Sequence, residues 1–197
     1  MNNVTVRHSA GFTVVELMVV VVLVGILSAL ALPAFNDMGQ NNRLTAVFNT
    51  MVGELGYARS EAIARNAPVS ICGSSDDESC DSDDWHDGRL VFIDDGAGTD
   101  ANAGNGELDA GETILKIFSN TEHGVFISLK VFADGGAITF SEEGTLEEVG
   151  SMSICDERGV SFAKVINFSI IGQSQKGVDI NADEIVNMVD GENVTCP

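Results

Sequence analysis

Positive charge is scarce in this chain: ten of its 197 residues are lysine or arginine, against 30 aspartates and glutamates. The formal net charge of −20 repels nucleic acid and anionic membranes at long range, unless basic residues cluster locally. Proline is equally rare, with three residues, whereas 21 glycines suit a β-rich domain with many tight turns. A hydrophobic content of 44% argues against wholesale disorder.

Signatures of catalysis and of zinc binding are missing as well. No phosphate-binding loop, HExxH helix or CxxC pair occurs, and the three histidines, His8, His86 and His123, are scattered. The stretch at 84–87 contains acidic residues and a histidine, but neighbouring positions do not converge as a catalytic triad must. We therefore predict that the protein is not an enzyme, that Trp85 anchors the core and that His86 lies at the surface.

One long hydrophobic run stands near the N-terminus. Residues 12–32 contain a single charge, Glu16, and about 20 such residues can cross a bilayer as a helix. Arg7 and His8 precede the run and no basic residue follows it before Arg43, which predicts a cytoplasmic N-terminus and an exported remainder. A cleaved secretory signal and an unprocessed anchor are the alternatives. A glutamate within the run argues against the secretory signal and marks a candidate functional residue.

The motif that opens this run, Gly11-Phe12-Thr13-x-x-Glu16-Leu17, resembles the N-terminus of type IV pilins and pseudopilins. The resemblance implies that prepilin peptidase cuts between Gly11 and Phe12, that Phe12 is N-methylated, and that Glu16 aids assembly. In the apolar centre of a filament, Glu16 would pair with the Phe12 amine of a neighbouring subunit, because an unpaired buried charge is costly. The alternative is a glutamate that reaches water at the membrane interface.

Hydrophobic periodicity predicts that the helix continues to about Arg65, with Pro68 as its stop. Its apolar positions recur every three or four residues, at Leu44, Val47, Phe48, Met51, Leu55, Ala58 and Ala62. Short strands separated by turn residues are predicted at 69–72, 89–93, 113–118, 125–132, 137–140, 151–155 and 164–171. The tail at 172–197 is predicted to be irregular, with one strand near 185–189.

The predicted fold class is α+β: a long N-terminal helix, membrane-spanning and then amphipathic, packed on an antiparallel β-sheet domain. We divide the chain into a leader at 1–11, the transmembrane part of the helix at 12–32, its amphipathic half at 33–66 and a periplasmic β-rich domain at 67–197. The protein is thus predicted to be a single-pass protein of the inner membrane.

Further motifs resemble the FimT/GspH branch of this family, which contains minor pilins of type IV pili and the H pseudopilin of type II secretion. They are Arg43-Leu44, Ala58-Arg59-Ser60-Glu61-Ala62, Trp85-x-x-Gly88-x-x-Val91-Phe92-x-Asp94, Phe140-x-x-x-Gly144 and Cys155. The resemblance implies a structural subunit of a pilus or pseudopilus. Its implied partners are other pilins or pseudopilins, prepilin peptidase and an inner-membrane assembly platform.

One departure from this branch concerns DNA. Some members carry Gly-Arg-x-Arg after the last strand and contact DNA through both arginines, but this chain has Gly172-Gln173-Ser174-Gln175 there, followed by Lys176. Because phosphate binding depends on fixed positive charge, nucleic-acid binding is disfavoured. A DNA-uptake minor pilin stays an alternative function, as does a calcium-binding adhesive subunit at a pilus tip.

The four cysteines, Cys72, Cys80, Cys155 and Cys196, are an even number in a domain that is predicted to be exported, which favours disulfides. Three pairings exist, and free buried thiols are a further alternative. We favour Cys72–Cys80, closing a short polar loop, and Cys155–Cys196, tying down the C-terminus.

An acidic, glycine-rich loop at 94–112 is the candidate cofactor site. It contains hard oxygen donors at short spacing and resembles the D-x-[DN]-x-[DN]-G calcium loop; the donors are Asp100, Asn102, Asn105, Asp109 and Glu112. The fit is imperfect, because Gly104 takes the fifth position if Asp100 takes the first. A calcium site and a solvated acidic turn both stay open, and no other cofactor is predicted.

Overall fold

The computed structural model describes residues 11–81, 85–97, 102–119, 124–130 and 136–196. The chain divides into two compact units, residues 1–41 and residues 42–197. The predicted leader lies outside the described residues, apart from Gly11.

One helix, α1, runs from Val14 to Arg65. Thr13 and Glu16 form a reciprocal cap at its start: the Glu16 amide donates to Thr13 Oγ1 at 3.2 Å, and the Thr13 amide donates to Glu16 Oε2 at 3.4 Å. The helix ends where Asn66 adopts a left-handed φ of 53°, two residues before Pro68. The helix predicted from the sequence is therefore confirmed at its C-terminal end.

The first unit consists of the N-terminal part of α1, whose described side chains are exposed. Within the described residues, no helix has both the length and the hydropathy that a membrane crossing requires. The spanning segment at 12–32 stays a prediction from the sequence.

The second unit contains the rest of α1 and two antiparallel four-stranded sheets, which confirms the predicted α+β class. The first sheet has the order β3-β2-β1-β5 and the second the order β4-β6-β7-β8. The strands are β1 Val69–Gly73, β2 Gly88–Ile93, β3 Thr113–Ser119, β4 Val125–Lys130, β5 Ala137–Phe140, β6 Gly150–Asp156, β7 Lys164–Phe168 and β8 Ser174–Lys176.

The tail departs from its prediction in two places. It contains the strand β8, in a stretch that was predicted to be irregular. The strand forms because a turn ending at Gly172 returns the chain along the edge of β7. Near 185–189 there is only an isolated bridge between Asn187 and Asn193 instead of a strand. The strand predicted at 125–132 is described to Lys130, and its last two residues lie outside the described part.

The main core of this unit lies between α1 and the inner faces of both sheets. Every residue of the predicted apolar stripe is buried or packs against this core, which confirms the helical periodicity. The sheets contribute alternate residues, as a half-buried strand must. Those residues include Val69, Ile71, Val91, Ile138, Ile127, Met152, Ile154, Ile166 and Phe168.

Each sheet also has a smaller apolar cluster on its outer face, covered by a disulfide-linked segment. On the first sheet Leu90 and Phe92 pack beside the Cys72–Cys80 disulfide. On the second sheet Val165 packs with the C-terminal segment that is held by Cys155–Cys196. These are the two pairings that the sequence favoured, and the alternative of free thiols is wrong.

Candidate functional site

The residues of the predicted processing site lie just before α1. Gly11 and Phe12 are both exposed and non-helical, and the Phe12 side chain is 85% exposed. Glu16 is exposed too, and its carboxylate accepts the Thr13 amide of its own chain. Its pairing with a neighbouring Phe12 stays a prediction. Thr13 and Glu16 fit the capping-box pattern T-x-x-E, but this cap was not predicted from the sequence.

Arg59 of α1 joins the two sheets at their turns. Its Nε donates to the Gly144 carbonyl and its Nη2 to the Ile171 carbonyl, each at 2.8 Å. The turn ending at Gly144 follows β5 in the first sheet, and the turn ending at Gly172 links β7 and β8 in the second. Both glycines have a left-handed φ, of 72° and 71°. The A-R-S-E-A motif is thus a structural element, with Arg59 as the connecting side chain.

The segment that begins at Trp85 ties the first sheet to the helix. Trp85 is fully buried, as predicted, and its carbonyl accepts Arg89 Nη1 at 3.0 Å. Arg89 also forms a buried bidentate ion pair with Glu54 of α1, at 2.7 and 2.8 Å. His86, which was predicted to lie at the surface, is half-buried there, with its ring edge-on to Phe126.

Asp94, at the end of the same motif, organises the acidic loop. Its buried carboxylate accepts the amides of Gly104, Asn105 and Gly106, at 2.7, 3.2 and 2.8 Å, and the Ser70 hydroxyl at 2.7 Å. Three amide donors around one carboxylate form an anion site that the chain fills itself. This part of the loop is therefore shaped around a negative charge.

The predicted calcium ligands of this loop are only partly brought together. Asp100 lies outside the described residues, and Asn102 is exposed. Asp109 accepts the Asn105 amide group at 3.0 Å. Glu112 accepts the backbone amides of Asp109 and Gly96, and burial raises its pKa. In the described parts of the chain, no three His, Cys, Asp or Glu residues are grouped to hold a metal, and calcium binding here stays a prediction.

A second segment with calcium-loop spacing was missed in the sequence. Asp179-x-Asn181-x-Asp183 has the D-x-[DN]-x-[DN] pattern, and Asp190 stands at the twelfth position. Asp179 accepts the amides of Ala182 and Glu184, at 2.7 and 2.9 Å. Glu184 stands where the motif has glycine, and its φ of 68° is left-handed. The spacing itself was the signal that could have found this segment.

A groove runs between α1 and the edge strand β8, and we call it the β8 groove. It encloses about 270 Å³ and is lined by Val52, Leu55, Gly56 and Arg59 of the helix and by residues 172–174. None of these residues is acidic. The groove lies at the positions where some members of the resembled branch carry DNA-contacting arginines, and no arginine stands at 172–175.

Comparisons with known proteins place these features in a family. The family model described as "Type II transport protein GspH" matches residues 48–182, and the "Prokaryotic N-terminal methylation motif" matches residues 6–32. The chain is 44% identical over 46 residues to Fimbrial protein EcpC of Eikenella corrodens, which is 23% of this chain and 30% of that protein. It therefore spans less than a third of that relative's length.

Two longer matches agree with this assignment. The chain is 26% identical over 168 residues to the type IV major fimbrial protein FimA of Dichelobacter nodosus, covering 83% of this chain and 86% of that one. The type IV minor pilin FimU of Pseudomonas aeruginosa shares its fold, with a TM-score of 0.52 and 22% identity over 71% of this chain and 91% of that one. The chain belongs to the GspH family, in the FimT/GspH branch of type IV pilin-like proteins.

Proposed function

We propose that the protein is a minor pilin or pseudopilin, a structural subunit that is cleaved between Gly11 and Phe12 and assembled through α1. One observation carries the proposal: a methylation motif at 6–32 and a GspH domain at 48–182 occur in the same chain. The exposed, non-helical Gly11–Phe12 bond is accessible to a peptidase. Residues 12–32 would hold the subunit in the inner membrane until an assembly platform extracts it.

Processing is tested by mass spectrometry of the protein from membranes of cells with and without prepilin peptidase. We expect a mature chain that begins with N-methylated Phe12 in the first strain and an uncleaved chain in the second. A mature N-terminus after Ala29 or Ala31 would instead show a secretory signal and would refute the proposal.

The host machine is tested by a clean deletion. In one strain, the secreted-protein profile is scored together with surface pili, twitching and DNA uptake. Loss of secretion with normal pili would identify a type II secretion pseudopilin. Loss of pili or of DNA uptake with normal secretion would identify a minor pilin of a type IV pilus. A deletion that changes none of them would count against both assignments.

Glu16 has two roles in this proposal, one in the free subunit and one in the filament. In the free subunit it caps α1 through the Thr13 amide. In an apolar filament centre the same carboxylate would be costly unless it met a positive charge, and the processed Phe12 amine supplies one. Glu16→Ala is therefore expected to be cleaved normally and to assemble poorly, as measured by the ratio of processed subunit in sheared filaments and in membranes.

Calcium binding is a second candidate function, favoured by the spacing of Asp179, Asn181 and Asp183 and by the loop that holds Asp109 and Glu112. Titration of the full-length chain with millimolar calcium is expected to raise its melting temperature. Asp183→Asn tests the C-terminal segment and Asp109→Asn tests the acidic loop. A melting temperature that does not move with calcium would end this proposal for both segments.

A further inference from the structure

The acidic loop contains the only Asn-Gly pair of the chain, Asn105-Gly106. An asparagine before glycine is especially prone to lose its side-chain amide, because glycine has no side chain to hinder attack by its own backbone nitrogen. The backbone calls for glycine at 106, since its φ is 76° and an added Cβ would lie 3.1 Å from the Cβ of Ala137 on β5. The reactive pair is therefore a consequence of how closely this loop packs on the first sheet.

The reaction at such a pair needs only water. The Gly106 nitrogen loses its proton and bonds to the side-chain carbonyl carbon of Asn105, and the bond from that carbon to Nδ2 breaks, so that ammonia leaves. The resulting succinimide ring takes up one water molecule and opens to aspartate or isoaspartate. Asn105 is exposed, so water can reach it. No oxidant, reductant or cofactor is needed.

In the folded chain, the backbone nitrogen that would attack is turned away from its target. The Gly106 N–H donates to Asp94 Oδ2 at 2.8 Å. The electron pair that would attack is the one in this N–H bond, so it is directed at Asp94 and not at the Asn105 side chain. Ring closure requires the reacting atoms to approach in an aligned geometry. The bond between Gly106 and Asp94 must therefore open first.

The side chain of Asn105 is fixed as well. Its Oδ1 accepts the Glu107 amide at 2.9 Å, in an Asx turn, and its Nδ2 donates to Asp109 Oδ2 at 3.0 Å. The backbone amide of Asn105 donates to Asp94 Oδ1 at 3.2 Å. The side chain and the nitrogen that would attack it are thus held by different partners, and rotation of either one breaks a hydrogen bond.

The charge of the loop opposes the same reaction. The attacking nitrogen must become an anion, and the buried Asp94 carboxylate lies 2.8 Å from it. Like charges repel strongly at such a distance when they are shielded from water. Burial, together with repulsion from Asp94 and Asp109, raises the pKa of Glu112, so the potential within the loop is negative. Geometry and charge therefore both protect Asn105.

We propose that Asn105 is a latent deamidation site and that Asp94 keeps it closed. Deamidation after an opening of the loop replaces the amide donor of Asn105 by a carboxylate beside Asp109, which can only accept hydrogen bonds. The isoaspartate product also lengthens the backbone by one carbon. Neither product can restore the original bonds, so the modification is a permanent record that the loop of that molecule has opened.

The test follows the peptide that contains residue 105 by mass spectrometry, while the full-length chain is kept in non-ionic detergent at mildly alkaline pH. Conversion of the amide to an acid adds about 1 Da. The folded natural chain should react at least about tenfold more slowly than the same chain unfolded in urea. Asp94→Ala should remove most of this protection. Asp109→Ala, which loses only the bond to the Asn105 side chain, should remove less of it.

Asp156→Ala is the matched control, because it removes a carboxylate of the second sheet that pairs with Arg158, and it should leave the rate unchanged. Three results would overturn the proposal: a folded natural chain that reacts as fast as the unfolded one, an Asp94→Ala variant that reacts as slowly as the natural chain, and equal acceleration by Asp156→Ala. If Asp94→Ala does not fold, the urea comparison and Asp109→Ala decide, and equal rates in those samples reject the proposal.

Discussion

The buried ion pair between Glu54 and Arg89 gives the sharpest test of the fold. Arg89 is 2% exposed and uses three N–H groups, two on Glu54 and one on the Trp85 carbonyl. Glu54→Ala leaves the guanidinium buried without a counter-charge. Removal of one partner of a buried pair costs about 3–5 kcal/mol. We expect that loss in the free energy of unfolding.

The size of the expected effect makes it easy to measure. For a domain of this length, each kcal/mol lowers the melting temperature by about 2–4 °C, so Glu54→Ala should lower it by roughly 6–20 °C. The assays are thermal unfolding for the melting temperature and urea unfolding for the free energy, each followed by tryptophan fluorescence. Trp85, the only tryptophan, is fully buried and adjoins the pair.

A double variant separates the charge from the packing. Glu54→Leu with Arg89→Met replaces both charged groups by apolar side chains of similar size, and such replacements are often neutral. We expect the free energy of unfolding of the double variant to lie within about 2 kcal/mol of that of the natural chain. The double variant should also be more stable than Glu54→Ala. If Glu54→Ala costs under about 1 kcal/mol, or if the double variant is the less stable, the reasoning is wrong.

Other predictions concern single positions. Gly172→Ala should destabilise the fold by about 2 kcal/mol, because φ is 71° and a Cβ would collide with the Gly144 carbonyl oxygen. Gly56→Ala should stabilise the fold by up to about 1 kcal/mol, because alanine favours a helix and a Cβ there meets no atom within 4 Å. Urea unfolding measures the free energy of both variants. Asp94→Ala should speed amide hydrogen exchange at 104–106, whose donors lose their acceptor. The pKa of Asp76 is lowered from its ordinary value of 3.8, so ionised Asp76 stabilises the fold above that pH. This stabilisation is lost as the pH falls through the lower pKa of the folded state. Asp76→Asn should therefore lose less stability on acidification than the natural chain, as measured by unfolding at a series of acidic pH values.

The helix and its buried stripe were predictable because burial repeats with the period of the helix. Leu44, Met51 and Leu55 are all fully or nearly fully buried on one face. The strands followed from short apolar or alternating runs that are separated by turn residues. Each of these signals lies within a few residues of sequence, and no knowledge of the partner surface is needed to read it.

Contacts between distant residues could not be predicted in this way. Arg59 binds carbonyl groups 85 and 112 positions away, and Arg89 pairs with a glutamate 35 positions earlier. The motifs marked Arg59 but not Arg89, and the sequence contained no sign of what either residue touches. The short strand β8 was missed because Ser-Gln-Lys has no apolar alternation, and its pairing depends on the preceding turn.

The position of Arg59 also bears on how the domain opens. The amides of Gly144 and Gly172 each close a turn, and the Leu146 amide bonds to the Ile170 carbonyl between the two turns. Arg59 also bonds to one carbonyl in each region. If either turn detaches, the Leu146–Ile170 bond and one bond to Arg59 are lost, which weakens the attachment of the other turn. These amides should therefore exchange as one cooperative unit in deuterated solvent, although they belong to different sheets. The two sheets then share a single opening event at this end of the domain.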